Sequence, residues 1–327
     1  MTLLTRYSMV KEYRRCPKAY QYKYVRNLQR IKPAAPLLRG TILHELLDAR
    51  ATTLHVPKKV EDIFNKYNKQ FGTLFKEERD IYGETFLADI RRIYYGYDAL
   101  YANDGWKYEA SEELLETKLT EGIRFIGHLD KRVYTKKDGR RWIVDHKTHK
   151  VLPTEDQRFH DYQILLYVWA YNRENSEKPV DGIIWDYLRT KAPAIPEQLK
   201  NGQLSQRKDM DTDHMTYVRE LRRLQLDPFP YETFLTELKK RSERKFYMRV
   251  SLPSPSVQMT KSVVSDFIAT TRRMFADTHF PRTMTRDCSW CEYYRLCTSE
   301  LRGLDAKYIE KTEFEQKEIQ DETSEED

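Results

Sequence analysis

Two aspartates and a lysine occur where the sequence predicts a β-hairpin, in GHLDKRVYTKKDGRRWIVDHKT at residues 127–148. The Asp-Gly pair at 138–139 is a typical two-residue hairpin turn, because such turns need positive φ angles. A turn of this length places Lys147 opposite Asp130, with Asp145 on the same face at roughly 7–8 Å diagonally between Cα atoms. Two carboxylates on one face can bind Mg2+ or Mn2+, which lowers the pKa of a bound water that a neighbouring ammonium can position. The pattern therefore predicts a hydrolytic metal site, although a solvated Asp-x-Lys pair gives the same pattern.

Four cysteines form a second candidate metal site. Cys288, Cys291 and Cys297 have the spacing C-x2-C-x5-C, and Cys16 lies near the other end of the chain. In a reducing compartment such a group favours a metal over disulfide bonds. Four thiolates can hold tetrahedral Zn2+ or a 4Fe–4S cluster, and the spacing alone does not separate these two possibilities.

Hydrophobic periodicity predicts the elements that must position these residues. The N-terminal third is expected to be helical, with candidate helices near residues 7–26, 40–51, 60–77 and 84–103. A β-rich stretch begins at about Glu112 and is followed by a helix from Thr154, capped with Gln157, to about Asn175. Further elements are a strand at 180–189 and a long helix near 256–278.

The chain divides into five expected segments along its length. They are a helical N-terminal region (1–110), a core (111–190), a basic insertion with its own helices (191–255), a C-terminal helix with the cysteine segment (256–309) and an acidic tail (310–327). The basic groups of the insertion include Arg219, Arg222, Arg223, Lys239, Lys240, Arg241, Arg244 and Lys245.

The charge distribution points to a polyanionic partner. Residues 310–327 carry a net charge of −7, which leaves +13 on the other 309 residues of a chain whose total is +6. A basic body of this kind is typical of nucleic-acid binding, although a solvated basic surface is the alternative.

The longest apolar run, at 164–171, is far shorter than the about 20 residues of a membrane span, and no signal peptide is apparent. We therefore expect a soluble cytoplasmic protein with no membrane partner and an acidic tail that is disordered or a frayed helix.

Several short motifs, taken in order, resemble those of the PD-(D/E)XK nuclease superfamily. Asp130, in Gly-His-Leu-Asp at 127–130, is followed by Asp145-His146-Lys147 at 145–147, as in the superfamily signature. Two further motifs resemble those of the RecB-like branch of that superfamily: G-x3-H ending at His44, and Q-x3-Y from Gln163 to Tyr167. Together with the four cysteines and Cys-Pro-Lys-Ala-Tyr at 16–20, the chain is similar to the iron–sulfur AddB-type nucleases and the CRISPR-associated adaptation exonucleases.

The resemblance implies an α/β fold with a PD-(D/E)XK restriction-endonuclease-like core, in which helices flank a mixed central sheet. A helical N-terminal region, a helical insertion and a four-cysteine cluster joining the termini would complete it. The implied ligands of Mg2+ or Mn2+ are His44, Asp130, Asp145 and the backbone carbonyl of His146. From the residues alone, His44 is equally well a core histidine on an apolar helix.

The remaining site residues also follow from the resemblance. Lys147 would act on the attacking water and the developing phosphorane charge. Gln163 would bond the site, and the ring of Tyr167 one turn later could meet a nucleotide, although plain core packing explains Tyr167 as well. The four cysteines would hold a structural 4Fe–4S cluster, separate from the hydrolytic metal, that clasps the N-terminal helix to the C-terminal segment.

The expected function is a metal-dependent deoxyribonuclease, an exonuclease on single-stranded DNA or DNA ends. Such an enzyme would serve recombination, repair or phage DNA processing. No G-x4-G-K-[ST] segment is present, so unwinding would depend on a helicase or recombination partner. Two alternatives remain open: a catalytically silent DNA-binding scaffold, and a CRISPR spacer-acquisition nuclease with the same chemistry.

Overall fold

The computed structural model describes residues 2–52, 56–159 and 161–316, which form two compact units. The described residues of Met1–Pro33, Glu116–Gly127 and Ser256–Asp327 make up the terminal unit. Ala34–Leu115 and His128–Pro255 make up the central unit. The fold is mixed α/β, with a six-stranded mixed sheet. The strand order is β1 (Leu3–Thr5), β4 (Ile123–Thr135), β5 (Arg140–His149), β6 (Gly182–Arg189) and β7 (Tyr247–Pro253), with β3 (Trp106–Thr120) paired to β4. The expected fold class is therefore confirmed.

Five strands contribute to the sheet of the central unit, and two of them, β3 and β4, continue into the terminal unit. The strands are β3 (Trp106–Thr120), β4 (Ile123–Thr135), β5 (Arg140–His149), β6 (Gly182–Arg189) and β7 (Tyr247–Pro253). β5 pairs with β4 antiparallel and with β6 parallel, while β7 pairs antiparallel with β6. β6 is buried from its first residue almost to its last, as its apolar sequence GIIWDYLR predicts for a central strand.

The β4–β5 hairpin has a longer turn than the sequence predicts. β4 ends at Thr135 and β5 begins at Arg140, so the connection has four residues and the two-residue turn is wrong. A two-residue turn needs positive φ at both central residues, but only Gly139 of the pair has it, with φ +71°. Asp138 instead uses its carboxylate to accept hydrogen bonds from the Arg140 amide, at 3.3 Å, and from the Thr135 hydroxyl.

The helices of the central unit pack around more than one apolar cluster, and the first, second and fourth of them share a large one. They are α3 (Ala35–Thr52), α4 (Val56–Thr73), α5 (Lys76–Asp80), α6 (Phe86–Leu100), α7 (Glu155–Phe159), α8 (Gln163–Glu174), α9 (His214–Arg223) and α10 (Glu232–Lys245). α3 begins earlier than expected because Pro36 lies in its first turn, where a missing N–H costs nothing. The helix expected from 154 to 175 is divided into α7 and α8, and the side chain of Gln157 lies outside the described residues.

The basic insertion ends earlier than predicted. α9 and α10 pack around a small apolar cluster that contains Tyr217, Leu221 and Leu238. However, β7 pairs along its whole length with β6, so residues 247–253 belong to the sheet. The predicted boundary at 255 is therefore wrong, because a half-buried strand was assigned to the insertion.

The terminal unit joins segments from both ends of the chain. Its elements are β1 (Leu3–Thr5), α1 (Tyr7–Arg15), α2 (Pro17–Tyr20), a π-helical turn (Gln21–Val25), β2 (Leu28–Arg30), α11 (Val257–Ala276), a 3-10 turn (Arg286–Trp290), α12 (Tyr294–Leu301), α13 (Ala306–Glu313) and β8 (Phe314–Gln316). The helix expected over 7–26 is interrupted at Cys16, whose backbone is extended, and Pro17 opens the next helix.

The acidic tail, expected to be disordered or a frayed helix, begins with the end of a helix. Residues up to 313 complete α13, and β8 pairs antiparallel with β2, with Phe314 opposite Arg30. Residues 317–327 lie outside the described residues. In the part of the chain that the structure describes, every helix is too short or too polar to cross a membrane.

Candidate active site and cysteine site

The two predicted aspartates face each other across β4 and β5. The observed register pairs Lys131 with Val144, and its continuation by one residue places Asp130 opposite Asp145. The predicted register was displaced by two residues, so the pairing of Asp130 with Lys147 is wrong. A displacement of two keeps every side chain on its own face, and the carboxylates are therefore brought directly opposite instead of diagonally.

One group in the described residues has the geometry of a metal site, and we call it the hard-donor site. Ligand atoms of His44, Glu112 and Asp130 all lie within 4.8 Å of one another. Nδ1 of His44 lies 3.7 Å from Oδ2 of Asp130. The carboxylate oxygens and imidazole nitrogen of this group are donors that suit Mg2+ or Mn2+. A cavity of about 530 Å3 lies against this site and is lined in part by Gly40, His44 and Glu112.

Glu112 is the site residue that the sequence reasoning missed. It lies on β3 with a φ of +50°, a conformation that is uncommon for a residue with a side chain. Burial raises the pKa of Glu112, and the nearby Asp130 carboxylate adds to the rise. A signal was present, since β3 and β4 flank a short connection and Glu112 and Glu113 lie in the strand before Asp130. Counting residues back along β3 from the turn at Gly122 places Glu113 beside Asp130. This count assumes a regular strand, whereas the backbone at Glu112 is irregular.

His44 reaches the site from α3, one helical turn after Gly40, so the two residues of the G-x3-H motif share a face. Burial lowers the pKa of His44, and the positive charges of Lys147 and Lys131 add to the fall although Asp130 opposes it. The imidazole is therefore neutral near pH 7, which is the form that can bind a metal. A core histidine would be buried, whereas the side chain of His44 is 35% exposed and lines the cavity. The core-histidine alternative therefore does not fit.

Lys147 is held between two side chains. Its ammonium lies 2.7 Å from Asp145 Oδ2 and donates a hydrogen bond of 3.1 Å to Gln163 Oε1. Gln163 is the first residue of α8, which brings its side chain to the lysine. The pKa of Lys147 is raised, because Asp145 outweighs the effect of burial, so the group stays charged.

Asp145 is almost fully buried on β5, at 2% exposure. Burial raises its pKa to about 7, and Asp130 adds to the rise although Lys147 opposes it. A carboxylate with this pKa changes its charge near neutral pH unless a cation is bound beside it.

Tyr167 does not present its ring for stacking. The side chain is 7% exposed, and burial raises its pKa to about 12 despite a hydrogen bond with Gln163. The expected contact of its ring with a nucleotide is therefore not supported, and the core-packing alternative fits better.

His146 contacts the site through its backbone amide, which donates a 2.7 Å hydrogen bond to Asp130 Oδ2. Its buried ring meets that of His44 edge to face, with 6.0 Å between centroids. Nδ1 of His146 lies 3.3 Å from Oδ2 of Asp186 on β6. The role of the His146 carbonyl as a metal ligand stays a prediction.

The four cysteines meet in the terminal unit, and we call them the cysteine site. They are free thiols, and all of them line one cavity of about 350 Å3. Arg282 Nε lies 3.3 Å from Cys297 Sγ, and Arg15 Nη2 lies 3.8 Å from Cys291 Sγ. Burial raises the pKa of Cys291, while Arg15 opposes that rise and so favours the thiolate.

Contacts between the two ends of the chain surround the cysteine site. The Tyr22 hydroxyl donates to Glu300 Oε2 at 2.6 Å, and the Tyr293 hydroxyl donates to the Leu28 carbonyl at 2.8 Å. The terminal unit therefore has direct N- to C-terminal contacts in addition to any bound metal.

The basic residues of the insertion divide into two groups. Arg241 donates to the backbone carbonyls of Lys208 and Met210, and Lys245 lies 3.0 Å from Asp211 Oδ1, so these cations hold the insertion together. In contrast, exposed positions are occupied by Arg222, Lys239, Lys240 and Arg244.

The sequence matches one known family over most of its length. The sequence model of the PD-(D/E)XK nuclease superfamily matches residues 7–298. No curated protein matches the chain significantly. Among solved structures, the chain is similar to a provisionally named exonuclease of Eubacterium rectale, at 10% identity and a TM-score of 0.45, with 89% of this chain and 86% of that chain covered. It is also similar to the crystal structure of SSO0001, at 12% identity and a TM-score of 0.35, with 90% and 86% covered.

Proposed function

The chain belongs to the PD-(D/E)XK nuclease superfamily, and from that premise we propose that it is a Mg2+- or Mn2+-dependent deoxyribonuclease. We further propose that it acts as an exonuclease on single-stranded DNA or DNA ends, in recombination, repair or phage DNA processing. A helicase or recombination protein would supply any unwinding.

The observation that carries this proposal is the juxtaposition of the hard-donor site with a charged lysine. Asp130 connects the two. It is a member of the hard-donor site, and the register of β4 and β5, continued by one residue, places it opposite Asp145. Asp145 in turn holds the ammonium of Lys147 at 2.7 Å. A nuclease needs both parts: ligands for a divalent ion and a positive group for the phosphate.

The residues present fit a divalent ion. Three hard ligands converge, two of them carboxylates, and burial raises the pKa values of Glu112 and Asp145, a rise that a bound divalent cation would oppose. When bound, Mg2+ or Mn2+ lowers the pKa of the attacking water and neutralises negative charge on the phosphate.

The protein side chains supply the remaining chemistry. Lys147 donates hydrogen bonds to the attacking water or to a phosphate oxygen, and Gln163 and Asp145 orient its ammonium. The neutral imidazole of His44 and the carboxylates of Glu112 and Asp130 hold the metal. The His146 amide fixes the orientation of the Asp130 carboxylate through its hydrogen bond.

We propose that the cysteine site binds a structural 4Fe–4S cluster. All four thiols line one cavity of about 350 Å3, which gives room for a multinuclear cluster. Hydrolysis needs no electron transfer, so this cluster would stabilise the terminal unit.

End-labelled DNA tests the proposed activity. Protein purified without oxygen is incubated with linear and circular single-stranded DNA and with duplex DNA, in Mg2+, Mn2+ or chelator. We expect metal-dependent release of nucleotides from linear DNA, with circles resistant, and loss of that release in Asp145→Asn. Lys191→Ala is a control, since Lys191 also pairs with an aspartate, at 2.8 Å, but lies outside the site. Cleavage that persists in chelator or in Asp145→Asn would contradict the proposal.

A further inference from the structure

Asp186 is a fully buried carboxylate directly behind the site. The parallel register of β5 and β6 pairs His146 with Asp186, and the side chain of Asp186 has no exposed surface. Its Oδ2 lies 3.3 Å from Nδ1 of His146. Asp186 thus contacts the residue whose backbone amide binds Asp130.

The same oxygen of Asp186 has two further contacts. Oδ2 accepts a hydrogen bond from the Tyr97 hydroxyl and lies 3.3 Å from Arg249 Nε. Arg249 Nη2 in turn donates to the Tyr97 hydroxyl at 2.6 Å. These three residues therefore close a ring of contacts at one carboxylate oxygen.

The contacts continue from Arg249 to the helix that carries His44. Arg249 Nη1 lies 3.1 Å from Asp104 Oδ2, and that oxygen also lies 3.3 Å from Arg50 Nη1. Arg50 belongs to α3, six residues after His44. We call Asp186, Tyr97, Arg249, Asp104 and Arg50 the buried ionic network.

The buried ionic network also reaches the strand that carries Glu112. The guanidinium of Arg249 lies 3.7 Å from the ring centroid of Tyr101 and 3.7 Å from that of Trp106. Trp106 is the first residue of β3, which holds Glu112. The network therefore connects α3, β3 and β5, which bear His44, Glu112 and Asp145.

Burying several charges is costly, and well-packed apolar side chains are often at least as stable. Such a network is better explained by the fixed positions that it gives to the residues around it than by a gain in folding stability. Residues behind metal ligands orient them, and losing one such partner typically weakens metal affinity about 10- to 100-fold.

We propose that Asp186 is a positioning residue for the hard-donor site, which it orders through His146 and through Arg249; this inference rests on the proposed function. Asp186 holds the His146 ring, and the backbone of β5 then aims the His146 amide at Asp130. The pairing of Asp186 with Arg249 restricts α3 and β3 in the same way, because Arg249 connects to both elements.

Mn2+ binding to the full chain tests this proposal without any assay of DNA cleavage. The dissociation constant for Mn2+ is measured by electron paramagnetic resonance in the wild type and in Asp186→Asn. We expect a rise of about tenfold or more in Asp186→Asn. Asp213→Asn is the matched control, because Asp213 is also buried and accepts a tyrosine hydroxyl, that of Tyr247 at 2.9 Å. We expect it to change Mn2+ affinity less than about twofold, even where it lowers thermal stability to the same extent.

Three further outcomes are decisive. Unchanged Mn2+ affinity in folded Asp186→Asn, or an equal loss in Asp213→Asn, would overturn the positioning role. If Asp186→Asn does not fold, Tyr97→Phe removes one hydrogen bond to Asp186 and should weaken Mn2+ binding about threefold, and no change there would overturn the role. If Asp130→Ala binds Mn2+ as the wild type does, the metal site itself is wrong, and the proposed function fails with it.

Discussion

The hard-donor site and the cysteine site place different ligands on different kinds of framework. His44, Glu112 and Asp130 offer oxygen and imidazole donors from strands and a helix within the central unit. The cysteines offer soft sulfur donors, and Cys16 is separated from the other three by most of the chain. The first set suits a hydrolytic ion, and the second suits a cluster that joins distant segments. The contrast is the basis of our proposal that two separate metals serve catalysis and cross-linking.

Lys147→Ala should cause the largest loss and should affect the hard-donor chemistry alone. We expect DNA hydrolysis to fall about a thousandfold, because the ammonium that faces the reacting phosphate is removed. Iron content should stay at the wild-type level, as measured by iron and sulfide analysis of the same preparation. Hydrolysis near the wild-type rate in the folded variant would show that Lys147 has been assigned wrongly.

Cys16→Ser should have the converse effect. We expect the brown colour and the bound iron to be lost, and the midpoint of thermal unfolding to fall on the order of 5 °C. The fall should be limited, because Tyr22–Glu300 and Tyr293–Leu28 also join the two ends. Mn2+ affinity, measured below the unfolding temperature, should stay within twofold of the wild type. A parallel loss of Mn2+ binding would show that the two sites depend on each other.

The pH dependence of Mn2+ binding should follow Asp145. Its pKa is raised to about 7, so the carboxyl is mostly neutral at pH 6 and mostly ionised at pH 8. The ionised form adds a negative charge beside Asp130 and so favours a bound cation, and Mn2+ affinity should therefore be about tenfold lower at pH 6 than at pH 8. Titration calorimetry at the two pH values measures this ratio. The ratio should shrink in Asp145→Asn, and a ratio as large as in the wild type would assign the proton to another group.

The smallest effect is expected from the exposed basic residues of the insertion. Charge reversal to Glu at Lys239, Lys240 and Arg244 should weaken DNA binding about tenfold and reduce its dependence on salt, if these groups contact phosphates. Arg241 is left intact because it bonds backbone carbonyls within the insertion. Reversal of Lys58, Lys59 and Lys69, which are also exposed, is the control with equal charge change. An equal loss of affinity in the control would assign the effect to net charge alone.

The sequence predicts the shared face of Asp130 and Asp145 despite an error in the turn. Face alternation has a period of two residues, so a displacement of two leaves the faces unchanged. The residue-by-residue pairing of β4 with β5 was predicted wrongly because of Asp138. Its side chain caps a turn that is longer than the one an Asp-Gly pair predicts.

Other parts of the site needed the three-dimensional structure. Glu112 has a positive φ that no composition rule predicts, and simple strand counting favours the adjacent Glu113. Asp186 and Arg249 lie 63 positions apart, and only the pairing of β6 with β7 places Asp186 opposite Arg249. Patterns within one strand or helix are therefore predictable here, whereas contacts that cross the sheet and reach helices are not.

Anomalous diffraction from one crystal, grown without oxygen and soaked in Mn2+, would locate both metals. Data at the manganese and iron absorption edges distinguish the two elements. We expect a manganese peak bonded to His44, Glu112 and Asp130, and an iron peak enclosed by the four cysteines. Manganese bound elsewhere, or a single zinc among the cysteines, would contradict the assignment of two metals to two chemically distinct sites.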